Sequence, residues 1–326
     1  MEKVLSGMRP TGRLHIGHYF GALKNWLDLQ EKHQCFYFVA DWHALTTNYE
    51  NPEDIIENRR QLVLDWLSVG LDPNKCTMFV QSHNIYHAEL SLLLSMLTPV
   101  SWLERCPTYK EIKQETTNKD LSNLGFLSYP VIMTADIIMY DATYVPVGED
   151  QLPHIEICRE IIRRFHHLYN CEVFTEPKGV LTEVPRVPGL DGRKMSKSYN
   201  NFISLSEDLK SVEQKVKTMV TDTNRKRLKD PGDPAICPVF DYHKVFSTAD
   251  EKEYITKGCK SAGIGCMECK MILYKHIEEL LTPMQDRRKK FEAEITDIDE
   301  FLKPMQEKAN EEAAGMMLKV RKALKI

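Results

Sequence analysis

The run Cys35-Phe-Tyr-Phe-Val-Ala40 contains no charged position and no alternation of wet and dry residues. A strand with one solvated face alternates, so a run like this has to be covered on both faces, as in a parallel sheet flanked by helices. Shorter strand-like runs recur at Val4-Leu5-Ser6, Thr77-Met-Phe-Val80 and Thr143-Tyr-Val-Pro-Val147. Segments with helical spacing separate them: Leu23, Trp26, Leu27 and Leu29, then Ala88 to Leu97, Tyr129 to Tyr140 and Glu149 to Phe165. Asn51-Pro52 is expected to cap and open another helix, with Glu53 and Asp54 in its first turn. Strands alternating with helices predict an α/β fold, a Rossmann-type parallel sheet with right-handed crossovers.

The pattern breaks between Ser101 and Ser122, a Lys-, Glu- and Thr-rich stretch expected to be mobile. Beyond Ser204 strand signals fade. In the last segment Ala309, Ala313, Met316, Val320 and Leu324 form one apolar helical face. Two domains are expected, an α/β domain over 1–204 and an all-helical one over 205–326. The chain has 326 residues, enough for two cores without staples.

Composition narrows the function classes. The longest nearly unbroken apolar stretch, Leu90 to Leu97, is far short of a membrane span. The start, Met1 to Gly7, has no signal-peptide apolar core, so a cytoplasmic location is expected. Nine cysteines, an odd number with the first five scattered, fit reduced thiols better than a disulfide framework. A net charge of −4 argues against wholesale capture of nucleic acid but leaves local basic patches open.

His15-Ile16-Gly17-His18 stands between the first strand and its helix, at the carboxyl end of a parallel strand, where such sheets bind ligands. A helix start offers free backbone N–H groups to phosphate oxygens, Gly17 lets a nucleotide lie against the backbone, and two imidazoles can donate to a triphosphate. Later, Arg193-Lys194-Met195-Ser196-Lys197-Ser198 follows the flexible Pro188-Gly-Leu-Asp-Gly192. It forms a cationic loop suited to charge developing on a leaving pyrophosphate.

Together these two motifs resemble the HIGH and KMSKS signatures of class I aminoacyl-tRNA synthetases. Ser6-Gly-Met-Arg-Pro-Thr-Gly12, Asp41-Trp-His43, Tyr129-Pro-Val-Ile-Met133, Ala135-Asp136-Ile137 and Val145-Pro-Val-Gly-Glu-Asp-Gln151 narrow the resemblance to the bacterial tryptophanyl-tRNA synthetase family. It runs from residue 5 to about 221 and weakly onward. The resemblance implies that His15, His18, Lys194, Lys197 and Ser198 serve catalysis. Arg9, Pro10, Thr11, Gly17, His18, Gly148, Glu149, Asp150, Val187 and Lys194 to Ser198 would meet ATP, with Met195 and Ser196 included. Leu5, His43, Tyr129, Met133, Asp136, Val145, Val147 and Gln151 would hold the amino acid.

One of these assignments has an independent physical basis. An indole N–H only donates, so a tryptophan pocket needs a buried acceptor, and Asp136 lies in an otherwise apolar helix where an unpartnered charge is costly. The chain departs from many relatives at Arg9, where they carry Gln, at His18, where they carry Asn, and at Leu5, where they carry an aromatic residue. Lys110 and Lys113 straddle the match to a loop lysine near the ATP phosphates.

Cys237, Cys259, Cys266 and Cys269 are spaced C-x21-C-x6-C-x2-C. Four thiolates hold either tetrahedral zinc or an iron–sulfur cluster. A subset of the resembled family carries a [4Fe–4S] cluster in this region, with a first gap one residue longer, so the cluster is expected and zinc is the alternative. The basic runs Arg225-Lys-Arg-Leu-Lys229 and Arg287-Arg-Lys-Lys290 are read as solvated faces one by one; given the family, at least one of them is expected to meet the anticodon stem of tRNA. The resemblance thus implies a homodimeric tryptophan–tRNA ligase using ATP with Mg²⁺, L-tryptophan and tRNA(Trp), off the membrane. A tyrosyl-type synthetase, a small-molecule nucleotidyltransferase and an inactive RNA-binding homologue are the alternatives.

Overall fold

The computed structural model describes residues 1–107, 109–110, 121–181 and 187–326, without the side chain of Ser198. Five strands form one parallel sheet in the order β3-β2-β1-β4-β5. They are β1 (Lys3–Met8), β2 (Gln34–Val39), β3 (Cys76–Val80), β4 (Tyr144–Val147) and β5 (Lys178–Leu181). Order reverses between β1 and β4, so the crevice at their carboxyl ends is the switch point of the sheet.

Alternate residues of the strands feed two cores. Val4, Tyr37, Val39, Met78 and Val80 point to one, beneath Leu62, Val63 and Trp66 of the helix Ile55–Val69. Leu5, Phe36, Phe38 and Phe79 point to the other, against the helices Tyr86–Ser95, Tyr129–Met139 and Leu152–Tyr169. The interior strand β2 is buried from Cys35 to Val39, which is why its sequence lacks polar interruptions. Trp26 stacks on Tyr37 with ring centroids 4.2 Å apart, filling the space under that strand.

Helices beyond residue 204 enter both cores. The helix Cys266–Glu294 lays Leu273, Ile277 and Leu281 on Ile55–Val69. The helix Ile298–Leu324 crosses the edge of the sheet, giving Leu302 and Met305 to the first core and Ala309, Ala313, Met316 and Val320 to the second. Leu324, the end of the expected apolar face, is partly buried against the second core. At the crossing, Met305 Sδ accepts from Met78 N (3.4 Å) and Gln306 Oε1 accepts from Val80 N (2.9 Å). Arg321 clamps Glu89 with two hydrogen bonds of 2.8 and 2.6 Å.

Local expectations needed correction in three places. The helix expected from Asn51-Pro52 starts at Ile55 with Asp54 as N-cap, because residues 53 and 54 form a turn instead of the first helical turn. Part of the expected mobile stretch is the helix Val100–Glu104, packed through buried Leu103. Ile112, Lys113 and most of that stretch lie outside the described residues. Strand β5 was not anticipated. It is a four-residue edge strand, Lys178-Gly-Val-Leu181, with exposed ends and no apolar run to announce it.

The basic run at 287–290 is also not uniformly solvated. Arg288 is 4% exposed and Asp65 fully buried. The Arg288 guanidinium pairs with Asp65, bonds Gln61 Oε1 and reaches Glu292 at 2.8 Å. Arg287 Nε donates to Ser68 O at 2.7 Å. Both arginines are structural ties between the helix Cys266–Glu294 and the sheet region.

Candidate active site

A cavity of about 340 Å³ opens at the switch point. Leu5 and Gly7 of β1, His43 of the helix Asp41–Asn48, and Val145 and Val147 of β4 form walls, with Tyr129, Met133 and Asp136 of the helix Tyr129–Met139. Gln151 closes one side. All eight residues expected to hold the amino acid therefore line one cavity, as do Arg9 and Gly148 from the ATP set. Its lining is apolar except for a few groups, the usual make-up of a small-molecule site.

Asp136 is the polar floor, 1% exposed. Its Oδ2 accepts from His43 Nε2 (2.7 Å) and Gln81 Nε2 (2.9 Å). Its Oδ1 accepts from His87 Nδ1 (2.6 Å) and the same Gln81 nitrogen (2.8 Å). Burial pushes the carboxyl pKa up, but the hydrogen bonds from His43 and His87 outweigh it and hold the group below its ordinary value. The floor is thus an anion in an apolar box. His43 stands edge-on to Tyr129, ring centroids 4.5 Å apart. Gln151 is oriented by His154 Nδ1 (2.9 Å) and donates to Asp150 (2.8 Å). Glu149 and Asp150 form a 3₁₀ turn on the rim and are exposed, outside the cavity lining.

The two signature motifs meet beside the cavity mouth. His15 is the N-cap of Ile16–His18, which runs through a π-helical turn, Tyr19–Leu23, into the helix Lys24–Gln30. His15 and His18 rings pack with centroids 3.7 Å apart. Burial lowers the His15 pKa to about 4, with help from the Lys197 charge, and pushes His18 well below 6.5, so both imidazoles are neutral at pH 7. A Cβ on Gly17 would come within 3.0 Å of the His15 ring and 3.2 Å of Met195 Sδ. Glycine there lets the second loop lie on the first. Pro10 is buried and Thr11 exposed.

Met195 is the buried anchor of the cationic loop, and Asn201, 4% exposed, is its organiser. Asn201 Oδ1 accepts from Ser196 N (2.8 Å), and its Nδ2 donates to Lys194 O (3.1 Å) and Asp191 Oδ1 (2.7 Å). Lys194 is exposed, whereas Lys197 turns inward and donates to Thr11 O at 2.9 Å. Burial lowers its pKa to about 8 against the opposing pull of Asp65. Val187 packs at the edge of the first core.

The four carboxyl-side cysteines are half-buried and free of disulfides. They lie within electrostatic reach of one another: burial first, then Cys237, Cys259 and Cys266, push the Cys269 thiol up to about 12. A soft cation would reverse that field, so the donor set suits one chemically. Among the described residues, however, no three His, Cys, Asp or Glu side chains are gathered as ligands of a metal ion. No helix among them is long and apolar enough to cross a membrane.

Gln81, His87 and Asn201 were not anticipated from sequence. A signal existed for the first, since Gln81-Ser-His83 is an abrupt polar turn at the carboxyl end of β3. His87, fully buried in the apolar helix Tyr86–Ser95, was the other.

Comparison with known proteins agrees with this architecture. The family described as tRNA synthetases class I (W and Y) matches residues 1–282. The tryptophan–tRNA ligase of Thermotoga maritima is 51% identical, with 99% of each chain covered. That of Aquifex aeolicus is 43% identical over 99% of this chain and 100% of the relative. The tryptophanyl-tRNA synthetase of Campylobacter jejuni, solved in complex with ADP and tryptophan, superposes with a TM-score of 0.89 at 33% identity, covering 99% of this chain and 100% of that one. The chain belongs to the class I tRNA synthetases and, within them, to the bacterial-type tryptophan–tRNA ligases.

Proposed function

We propose that this ligase activates L-tryptophan in the cavity floored by Asp136 and transfers it to tRNA(Trp) in two steps. The observation that carries the reading is a buried, hydrogen-bonded carboxylate at the bottom of an apolar cavity that opens beside the joined His15–His18 and Lys194–Ser198 motifs. The indole N–H donates to Asp136, Met133, Val145, Val147 and Leu5 cover the ring, and Tyr129 and Gln151 take the ammonium group, with His43 beside them. The carboxylate is left at the mouth, where it attacks the α-phosphorus of ATP and pyrophosphate departs.

No side-chain nucleophile is needed; positioning and charge stabilisation supply the rate. Neutral His15 and His18 donate hydrogen bonds to the phosphates, and Lys194, Lys197 and Ser198 stabilise charge as pyrophosphate separates. Arg9, Pro10, Thr11 and Gly17, with Gly148, Glu149, Asp150 and Val187, frame the nucleotide, while Met195 and Ser196 carry the loop. Mg²⁺ accompanies ATP, as phosphoryl chemistry of this kind requires. The tRNA 3′ ribose hydroxyl then takes the acyl group. Functionally, 1–204 is the catalytic part and 205–326 the anticodon-binding part of a cytoplasmic homodimer. Exposed Leu92, Met96 and Val100 (59, 73 and 57%) support the dimer as an apolar patch in need of a partner.

Cys237, Cys259, Cys266 and Cys269 would hold a [4Fe–4S] cluster, with zinc as the alternative; their mutual electrostatic coupling supports a soft cation there. Anaerobically purified protein should be brown, and colourless protein with stoichiometric zinc would overturn the cluster. The decisive assay for the main reading is amino-acid-dependent exchange of labelled pyrophosphate into ATP. Stimulation by tryptophan is expected, and stimulation by tyrosine alone would defeat it.

A further inference from the structure

Behind Asp136 runs a row of polar side chains that does not reach the cavity: His87, Tyr140 and Asn84, all at most 2% exposed. Its proton order is fixed by its ends. Asn84 Oδ1 already accepts from Tyr86 N (3.2 Å), so its Nδ2 faces Tyr140 and donates to the phenol oxygen at 3.2 Å. Tyr140 must therefore spend its own proton elsewhere, and His87 Nε2 lies 2.8 Å away. An Nε2 that accepts leaves the ring proton on Nδ1, which lies 2.6 Å from Asp136 Oδ1. A carboxylate can only accept, so both ends of the row require the same order. Every donor points toward Asp136, and each polarises the next.

The consequence falls on Asp136. Oδ1 is taken by His87 and Gln81 from behind, whereas the partners of Oδ2 are His43, which lines the cavity, and the shared Gln81 amide. His87 fixes the carboxylate's rotation and delivers one proton to Oδ1, leaving Oδ2 as the oxygen aimed at the cavity. We propose that His87, held by Tyr140 and Asn84, is a positioning residue for side-chain specificity: it sets the carboxylate that distinguishes a substrate ring bearing N–H from an isosteric ring without one. The proposal rests on Asp136 being the indole acceptor.

The test compares pyrophosphate exchange with L-tryptophan and with β-(3-benzothienyl)-L-alanine, whose ring replaces N–H by sulfur. Five full-length chains are used: unaltered, Tyr140→Phe, His87→Leu, His87→Asn and Asp136→Asn. His87→Leu should raise the KM for tryptophan about ten-fold, the scale of one charge-assisted hydrogen bond, with kcat and the isostere's KM little changed. Tyr140→Phe, which removes one oxygen, should move the same ratio by about three-fold. His87→Asn, whose amide keeps a donor near the Nδ1 position, should restore most of what leucine loses. If both amino acids weaken by the same factor, His87 is core packing and the proposal fails while the pocket assignment stands. If Asp136→Asn leaves the ratio untouched, the pocket assignment fails and takes the proposal with it. Folding of the variants does not decide the matter alone, because ¹⁵N-histidine spectra of the unaltered chain report the tautomer directly. A proton on His87 Nδ1 is expected, and one on Nε2 would overturn the proposal.

Discussion

Among the described residues, Asp65 and Asp136 are the most deeply buried aspartates, and they are treated in opposite ways. Asp65 faces the Arg288 guanidinium and accepts Leu14 N at 2.7 Å, one residue before the His15 motif. Among the described residues Asp136 has no arginine or lysine as a hydrogen-bond partner, only His43, Gln81 and His87. Burial raises the Asp65 pKa despite Arg288, whereas the donors around Asp136 overcome burial and lower it. The first carboxylate is consumed by its permanent cation and joins two parts of the chain. The second keeps its charge available at a cavity. A buried acid that is paired to an arginine and touches no cavity is architecture, while one stabilised by hydrogen bonds beside a cavity is equipped to bind.

The sharpest way to break the contrast is to remove Asp65. Asp65→Ala leaves buried Arg288 with only the half-exposed Glu292 as counter-charge and Leu14 N without its acceptor, so urea unfolding should show a loss of about 3 kcal/mol. Replacing both partners with apolar residues of similar volume should recover most of that loss. Persistent instability of the double variant would mean the pair does more than hold the chain together.

Lys197 senses Asp65 and lies against Thr11, so it tests whether the structural acid reaches the chemistry. Lys197→Ala should slow adenylate formation about 10²–10³-fold, the range for losing one preorganised charge-stabilising group, with little change in equilibrium tryptophan binding. Equal losses in single-turnover adenylation and in binding would indicate a collapsed site instead.

Asp136→Ala should reverse the Asp65 pattern, with binding hit harder than folding. Tryptophan affinity should fall by about one to two decades, from the loss of roughly 1.5–3 kcal/mol of charge-assisted hydrogen bonding. Isothermal titration beside urea unfolding gives both numbers, and a larger loss in folding than in binding would put Asp136 in the same class as Asp65.

The smallest effect is a pH slope. His15 is lowered from 6.5 to about 4, so the unfolded chain takes up its proton first as pH falls. The contribution of His15 is complete above pH 6.5 and is lost progressively down to about pH 4. Between pH 6.5 and 5.5 the loss is about 1 kcal/mol. His15→Gln should flatten the slope by that amount, and an unchanged slope would place the uptake elsewhere, His154 being also lowered to about 4.

This contrast was only half legible in the amino-acid sequence. Asp136 announced itself as a charge inside Val131-Ile-Met-Thr-Ala-Asp-Ile-Ile-Met139, and the buried strands β1 to β4 as apolar runs. Asp65 gave no comparable signal, because its partner lies 223 residues away inside a basic run that reads as solvated. Likewise β5 owes its existence to pairing with β4, since Lys178 and Leu181 are exposed and its composition is ordinary for a loop. His87 and Gln81 are short-range in the fold yet 49 and 55 residues from Asp136 in the chain. Patterns of period two or 3.6 report which face is buried, and they are silent about which polar atoms meet on it.

The helix Ile298–Leu324 covers the free edge of β3, and the order of synthesis gives that contact a further meaning. Met78 N and Val80 N find their acceptors 227 and 226 positions later. At a ribosome's pace of about 5–20 residues per second, the strand emerges on the order of ten to forty-five seconds before its cover. Throughout that interval it presents two unpaired N–H groups on a flat, apolar edge, the arrangement most prone to pair with a neighbouring extended chain. The last helix is thus the one piece of the molecule whose late arrival ends the period in which the nascent sheet can be joined by a stranger.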